Sequence, residues 1–164
     1  MLVLGIDPGT ATTGYGLVRQ LEDGSLQAVA HGAILTPANT PMPQRLDKLY
    51  TELQEILRLH RPESAAVEKL FFSKNVKTAL SVGQGRGVVL LALAQSKLPI
   101  GEYTPNEIKQ AVTGYGNAGK SQVQEMVKLL LGLDARPTPD DAADALAVAV
   151  CHLHHSRYQA LMEE

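Results

Sequence analysis

The chain opens with a short, uncharged apolar run, Leu2 to Ile6, that ends at Asp7. Such a run is typical of a strand that is buried on both faces. Pro8 cannot continue a ladder of backbone hydrogen bonds and Gly9 can adopt a positive φ, so the strand is expected to end in a turn. The pattern predicts a central strand with a carboxylate at its tip. Asp7 either caps this turn or serves as a metal ligand or phosphate-handling group on a rigid scaffold.

Two more strands are predicted before the first helix. Residues 14–19 favour a strand, residues 22–25 have the composition of a hairpin turn, and residues 26–35 alternate as a third strand. After a proline-rich loop, residues 45–59 place their large apolar side chains on one helical face. Residues 65–68 then predict a short strand ending in Glu68.

The remaining pattern alternates helices with one further strand. A helix is predicted over residues 75–96, a strand over 100–103, and helices over 105–112, 121–131 and 140 to about 155. Residues 114–119 are expected to form a flexible loop. The 75–96 helix contains Gly83, Gly85 and Gly87, and each glycine costs about 1 kcal/mol relative to alanine. We therefore expect close packing against another backbone at these positions. The order of elements indicates one mixed α/β domain over residues 1–164.

Composition adds few constraints to this picture. The 164 residues are 45% hydrophobic and 20% charged, as in ordinary globular proteins. The longest charge-free apolar stretch, residues 87–96, is too short to cross a bilayer, and no basic segment precedes the first apolar run. Cys151 is the only cysteine, so an internal disulfide is excluded. We expect a cytoplasmic protein with no membrane partner.

Charge is unevenly distributed along the chain. The formal net charge is −2, but residues 69–128 hold eight basic and three acidic side chains, and the rest of the chain holds seven basic and fourteen acidic ones. A basic middle segment within a near-neutral chain is weak evidence for a phosphate-binding face.

Four carboxylates occupy positions from which they could meet. Asp7 and Glu68 end predicted strands, and Asp141 and Asp144 lie three apart on one face of the 140–155 helix. If the two strands are neighbours, all four groups converge, and they cannot all stay ionised without cations. Such an oxygen-rich site suits Mg²⁺ or Mn²⁺, and two ions about 4 Å apart would activate water and stabilise the leaving oxygen of a phosphodiester.

The acids around residue 140 also have a structural explanation. Residues 138–141 resemble a capping box, and acidic side chains near a helix N-terminus interact favourably with the helix dipole. This explanation accounts well for Asp140 and partly for Asp141. It accounts poorly for Asp144, which lies about one turn further into the helix.

Several segments, in their order and spacing, resemble the RuvC family of Holliday-junction resolvases along nearly the whole chain. Each segment is modest alone, but the combination is specific. The matching segments are residues 5–10 with 13–16, 67–75, 83–88, 103–105, 108–116, 120–124 and 141–147.

The resemblance implies a ribonuclease-H-like fold, a mixed five-stranded sheet flanked by helices, working as a homodimer. It implies that Asp7, Glu68, Asp141 and Asp144 are the catalytic ligands of two Mg²⁺ ions, with Mn²⁺ as a possible substitute, and that Lys120 is also catalytic. Asp140 precedes the matching motif and inherits no role from it.

The implied function is a metal-dependent endonuclease for recombination and repair. It would resolve four-way DNA junctions by paired symmetric nicks that leave 5′-phosphate ends, in cooperation with a branch-migration motor.

DNA contacts are predicted on both sides of the carboxylates. Neighbouring side chains on an extended segment face opposite ways, so one of two adjacent phenylalanines can pack inward while the other stacks on an unpaired base. The resemblance favours Phe71 for stacking, and core packing is the alternative for either residue. The nearby basic side chains are either solvated helix charges or phosphate contacts. The predicted DNA-contacting residues are Phe71, Phe72, Lys74, Asn75, Lys77, Arg86, Lys109 and Lys120, of which the last two match family lysines near the scissile phosphate.

Other functions fit the residues less well. Residues 114–121 satisfy the P-loop pattern, but a predicted helix precedes them where a P-loop needs a buried strand. Actin-like kinases begin with a similar strand followed by Asp, Gly and Thr. Those proteins close two such folds over ATP, whereas one domain is predicted here. A non-catalytic DNA-binding module would need none of the four acids. His152, His154 and His155 are expected to complement a helix dipole rather than to bind metal.

Overall fold

The computed structural model describes residues 1–9, 11–69 and 75–162. Five strands form one sheet in the order β3-β2-β1-β4-β5. Strand β1 pairs antiparallel with β2 and parallel with β4, β2 pairs antiparallel with β3, and β4 pairs parallel with β5. The strands are β1 (Leu2–Asp7), β2 (Thr12–Gln20), β3 (Leu26–Leu35), β4 (Ser64–Glu68) and β5 (Ile100–Tyr103).

Helices cover both faces of this sheet, as predicted for a mixed α/β fold. They are α1 (Met42–His60), α2 (Val76–Gln95), α3 (Pro105–Thr113), α4 (Lys120–Leu130) and α5 (Asp140–Met162). No helix in the described part of the chain is long and apolar enough to cross a membrane.

The hydrophobic core has two layers, one on each face of the sheet, and strand β1 contributes side chains to both. Leu2, Leu4 and Ile6 pack into the layer with α1 and α2, and Val3 packs into the layer with α3, α4 and α5. This division follows from the two-residue period of a strand, which sends successive side chains to opposite faces. The side chains of β1 are buried in both layers, which accounts for the uniformly apolar sequence of the strand.

Glycines bring helix α5 unusually close to the sheet. A Cβ on Gly5 would lie 2.1 Å from the carbonyl oxygen of Ala145, and one on Gly14 would lie 1.9 Å from that of Asp141. A contact this short is impossible for any residue with a side chain. The two strands that carry these glycines therefore fix the depth at which α5 packs.

The glycines of α2 behave differently from our expectation. A Cβ on Gly87 would have no neighbour within 4 Å, and one on Gly85 would make only ordinary contacts with Leu49 and Gly9. The prediction of close backbone packing at these two positions was wrong, because the nearest backbone atom to a Cβ on Gly85, the carbonyl oxygen of Gly9, lies at an ordinary 3.8 Å and a Cβ on Gly87 has no neighbour.

Helix α5 is longer than predicted and continues to Met162. The histidines therefore lie inside the helix, and the prediction that they complement its end was wrong. His152 is buried, with Nε2 3.0 Å from Ser64 Oγ and Nδ1 2.8 Å from the hydroxyl of Tyr103. His154 Nδ1 lies 2.9 Å from the carbonyl oxygen of Ala111. These side chains join the helix to its neighbours.

Candidate active site

Asp7 and Glu68 meet at one edge of the sheet. Asp7 is the last residue of β1 and Glu68 is the last residue of β4, and these parallel strands are in register at Ile6 and Val67. Parallel strands end at the same edge, so the two carboxyl groups are neighbours, and burial, together with the proximity of Glu68, raises the pKa of Asp7. The condition on which the predicted convergence depended, β4 beside β1, is met.

Helix α5 brings the other two acids to the same place. Gly14 pairs with Asp7 across the antiparallel ladder of β1 and β2, and the backbone of Asp141 packs directly on Gly14. Asp144 lies three residues further along α5 and therefore on the same side of the helix. Both carboxylates are close enough to Asp7 to perturb its protonation.

Burial and mutual repulsion favour the protonated forms of these acids. The pKa of Asp7 is raised to about 9, chiefly by burial and then by Glu68, Asp144 and Asp141. Burial also raises the pKa of Glu68 and of Asp144, although nearby lysines act in the opposite direction. Carboxyl groups whose pKa values are raised by burial and by one another are typical of functional sites.

Two lysines face the acids across a cleft of about 310 Å³. The ammonium of Lys120, at the start of α4, lies 3.5 Å from Asp140 Oδ2 and 3.7 Å from Asp144 Oδ2. The polar residues lining the cleft are Glu68, Asp144, Lys109 and Lys120, and the apolar ones are Pro105, Ile108, Val123 and Ala147.

The donor chemistry of the cleft fits divalent cations. In residues 1–9, 11–69 and 75–162, no three His, Cys, Asp or Glu side chains are already arranged around one ion position. The Lys120 ammonium lies beside Asp144 and offsets negative charge there. Asp7, Glu68, Asp141 and Asp144 nevertheless supply the hard carboxylate oxygens that Mg²⁺ and Mn²⁺ prefer.

Comparison with known proteins identifies the family. The sequence profile described as crossover junction endodeoxyribonuclease RuvC matches residues 3–152. The chain belongs to the RuvC family.

The similarity extends over whole chains. A RuvC of Syntrophomonas wolfei is 55% identical over 163 residues, which are 99% of this chain and 94% of the relative. The solved structure of Thermus thermophilus RuvC matches with a TM-score of 0.90 at 35% identity, over 97% of both chains. A second T. thermophilus RuvC structure, in complex with a Holliday junction substrate, matches at 0.88 and 33%, over 96% of both. The ribonuclease-H-like fold expected from the resemblance is confirmed.

The predicted DNA-contacting residues of this RuvC-family chain lie in different surroundings. Lys109 and Lys120 line the cleft with the acids, and Lys77 is exposed on α2. Asn75 caps α2 by accepting a hydrogen bond from the backbone N–H of Thr78 at 3.4 Å. Phe71, Phe72 and Lys74 lie outside the described residues.

Arg86 has a partner within the protein. Its guanidinium forms an ion pair with Glu102 on β5, and its side chain is only 18% exposed. A contact with DNA at this position stays a prediction, and it would require Arg86 to leave this ion pair.

The loop between α3 and α4 has the context that we predicted. Helix α3 precedes it and ends at Gly114, which has a positive φ of 78°. The Thr113 hydroxyl donates to the carbonyl oxygen of Tyr115, and Gly119 N–H donates to Gln122. No strand leads into the loop, so it lacks the geometry of a P-loop.

Asp140 lies in the first turn of α5, where the sequence places an acid that interacts favourably with the helix dipole, and it also pairs with Lys120. The sequence analysis does not predict this ion pair. A position beside the cleft is indicated by its spacing of four residues from Asp144, because residues i and i+4 share a helix face.

Proposed function

We propose that the chain is a divalent-metal-dependent endonuclease that resolves four-way DNA junctions by paired symmetric nicks in recombination and repair. The observation that carries the proposal is the group of partly buried carboxylates on two strand ends and one helix, at a cleft that two lysines line. This combination suits the cleavage of a phosphodiester and gives no advantage to a protein that only binds DNA. Membership of the RuvC family supports the same chemistry.

Asp7, Glu68, Asp141 and Asp144 would hold the ions, two Mg²⁺ with Mn²⁺ as a possible substitute. When bound, the ions would activate water as the nucleophile and stabilise charge on the leaving oxygen. The protein holds two of these ligands on rigid strand ends and two on one face of α5. This scaffold keeps the ligand positions fixed as DNA binds.

Lys109 and Lys120 provide the positive charge of the cleft. The Lys120 ammonium lies beside Asp144 and can approach a phosphate group at the mouth of the cleft. Positive charge held in that position stabilises the negative charge that builds up on the scissile phosphate. Lys109 neutralises the neighbouring DNA backbone and contributes mainly to binding.

A four-way junction needs two cuts, and a homodimer supplies one cleft for each. Helix α2 carries an exposed apolar stripe that includes Leu80, 63% exposed, and Leu91, 53% exposed. A second copy of the chain would cover this stripe. We also propose that the protein cooperates with a branch-migration motor and acts on DNA in the cytoplasm. Residues 1–164 would form one nuclease domain.

The proposal is tested by cleavage of a synthetic four-way junction against a linear duplex of the same arm sequence. With Mg²⁺ and without nucleotide, we expect paired nicks near the branch point, 5′-phosphate ends and little cutting of the duplex. Equal cutting of both substrates would contradict selectivity for junctions. Tight junction binding without any cutting would favour the non-catalytic DNA-binding module.

A further inference from the structure

The Lys120 ammonium stands between two acids that are one turn apart on α5. It lies 3.5 Å from Asp140 Oδ2 and 3.7 Å from Asp144 Oδ2. The two acids differ in surroundings, because the Asp144 side chain is 28% exposed within the cleft and that of Asp140 is 65% exposed at its rim. Asp140 is not one of the four proposed metal ligands.

Asp144 cannot pair with the Lys120 ammonium and coordinate a divalent cation equally well. A carboxylate that binds a divalent cation has little remaining attraction for an ammonium, and the cation itself repels the ammonium. Lysine is a point charge on a flexible four-carbon stem. Without a second anchor, the Lys120 side chain would leave the cleft for solvent as the metal site fills.

We propose that Asp140 is a positioning residue that keeps the Lys120 ammonium at the cleft once Asp144 is engaged by metal. The inference rests on the proposed function, because it assumes that Lys120 faces a DNA phosphate and that Asp144 is a ligand. Asp140 is suited to this task, since it reaches Lys120 from outside the ligand set. Exposed ion pairs are weak, so the expected effect on rate is small, about two- to fivefold.

Asp140 also lies in the first turn of α5, where a negative charge interacts favourably with the helix dipole. That contribution would not depend on Lys120. The two roles are therefore separated by asking whether the effect of changing Asp140 survives when Lys120 is removed.

The first experiment measures single-turnover cleavage of a four-way junction at saturating enzyme and Mg²⁺. We expect Asp140→Asn to cut about two- to fivefold more slowly with junction affinity nearly unchanged, and Asp140→Glu to recover most of the rate. The loss should disappear in the Lys120→Ala background. Asp134→Asn, an exposed acid between α4 and α5, removes the same charge and should cut normally.

The second experiment does not depend on cleavage. An amine-reactive reagent is applied in Mg²⁺ without DNA, and modification of Lys120 is followed by mass spectrometry. Asp140→Asn should increase the labelling rate of Lys120 about two- to fivefold while Lys77, exposed on α2, is labelled at an unchanged rate.

Several results would overturn the inference. Unchanged labelling of Lys120 in Asp140→Asn would do so, as would equal rate losses with and without Lys120, or an Asp140→Glu variant as slow as Asp140→Asn. If Asp140→Asn does not fold, Asp140→Glu and Asp140→Ser carry the labelling comparison. A wild-type protein that cuts no junction contradicts the proposed function, whereas the labelling result still decides the role of Asp140.

Discussion

Gly14 and Asp141 are in backbone contact, so that a Cβ on Gly14 would lie 1.9 Å from the carbonyl oxygen of Asp141. Gly14 is also the register partner of Asp7 on the neighbouring strand. The absence of one side chain therefore sets the distance between two acids that come from opposite ends of the sequence. The position of Asp141 relative to Asp7 depends on this contact.

We expect Gly14→Ala to lower the free energy of unfolding by about 1–3 kcal/mol and to slow cleavage strongly, because α5 must move away from the sheet. Urea unfolding and junction cleavage measure the two effects. Gly85→Ala, within α2, is the matched control, since its Cβ would make only ordinary contacts with Leu49 and Gly9. It should raise the free energy of unfolding by about 0.5–1 kcal/mol. A Gly14→Ala variant with normal stability and rate would show that the contact is unimportant.

Asp7→Asn should abolish cleavage and leave junction binding nearly intact. The substitution removes one proposed metal ligand from the end of β1 but leaves Lys109 and Lys120 in place. Junction binding by mobility shift and cleavage in Mg²⁺ measure the two properties separately. Comparable cutting by this variant at saturating Mg²⁺ would refute the assignment of Asp7 as a ligand.

Without divalent cations, the folded protein should lose stability as the pH rises. Asp7 has a pKa of about 9 when folded against an ordinary value of 3.8, so between these values the folded state holds a proton that the unfolded state has released. The stability that this proton provides is complete below pH 3.8 and is lost towards pH 9. Urea unfolding in EDTA from pH 5 to 8.5 measures the slope.

Asp7→Asn should flatten that slope and should be more stable than the wild type at pH 8 in EDTA. Mg²⁺ should restore stability to the wild type, because it binds only the folded state. The exposed acid Asp47 on α1 supplies a control, and Asp47→Asn should retain the full slope. A wild-type slope equal to that of Asp7→Asn would argue against a protonated Asp7.

Lys120→Ala should reduce the cleavage rate by roughly 100-fold in buffer without nucleotide, with a smaller loss of binding. The remaining binding should still weaken steeply with salt, because other basic residues displace counterions from DNA. Lys128→Ala removes the same charge near the far end of α4 and should cut almost normally. Measurable ATP affinity in the wild type that Lys120→Ala abolishes would instead support nucleotide binding.

The double substitution Leu80→Asp with Leu91→Asp should produce a folded monomer. Charges on the exposed stripe of α2 would be buried without partners in a dimer, which is costly. Sedimentation of the wild type and of the variant gives the oligomeric state. Leu59→Asp, on the exposed face of α1, is the control and should leave assembly unchanged.

The sequence was most informative where the spacing of apolar residues matched the burial of side chains in the structure. The alternation of Leu2, Val3 and Leu4 between two core layers follows directly from strand geometry. The carboxylate ends of β1 and β4 were predictable for the same reason, because both strands are short apolar runs that stop at an acid.

Interactions between segments that are distant in the chain were harder to predict from the sequence. The sequence indicates Arg86 as a possible phosphate contact, but its partner Glu102 lies on a strand whose position depends on the whole sheet. Likewise, the pairing of Asp140 with Lys120 depends on how α4 packs against α5. Neither pair has a local pattern, and only the tertiary structure reveals them.

The contribution of α5 to the cleft has a consequence during protein synthesis. Glu68 leaves the ribosome more than seventy residues before Asp141 and Asp144 do, because these acids are that far apart in the chain. A nascent chain that already has β1 and β4 thus has only half of the carboxylates. Nuclease activity should therefore arise only once α5 has been made and has docked on the sheet, which protects nearby nucleic acid from unfinished copies of the protein.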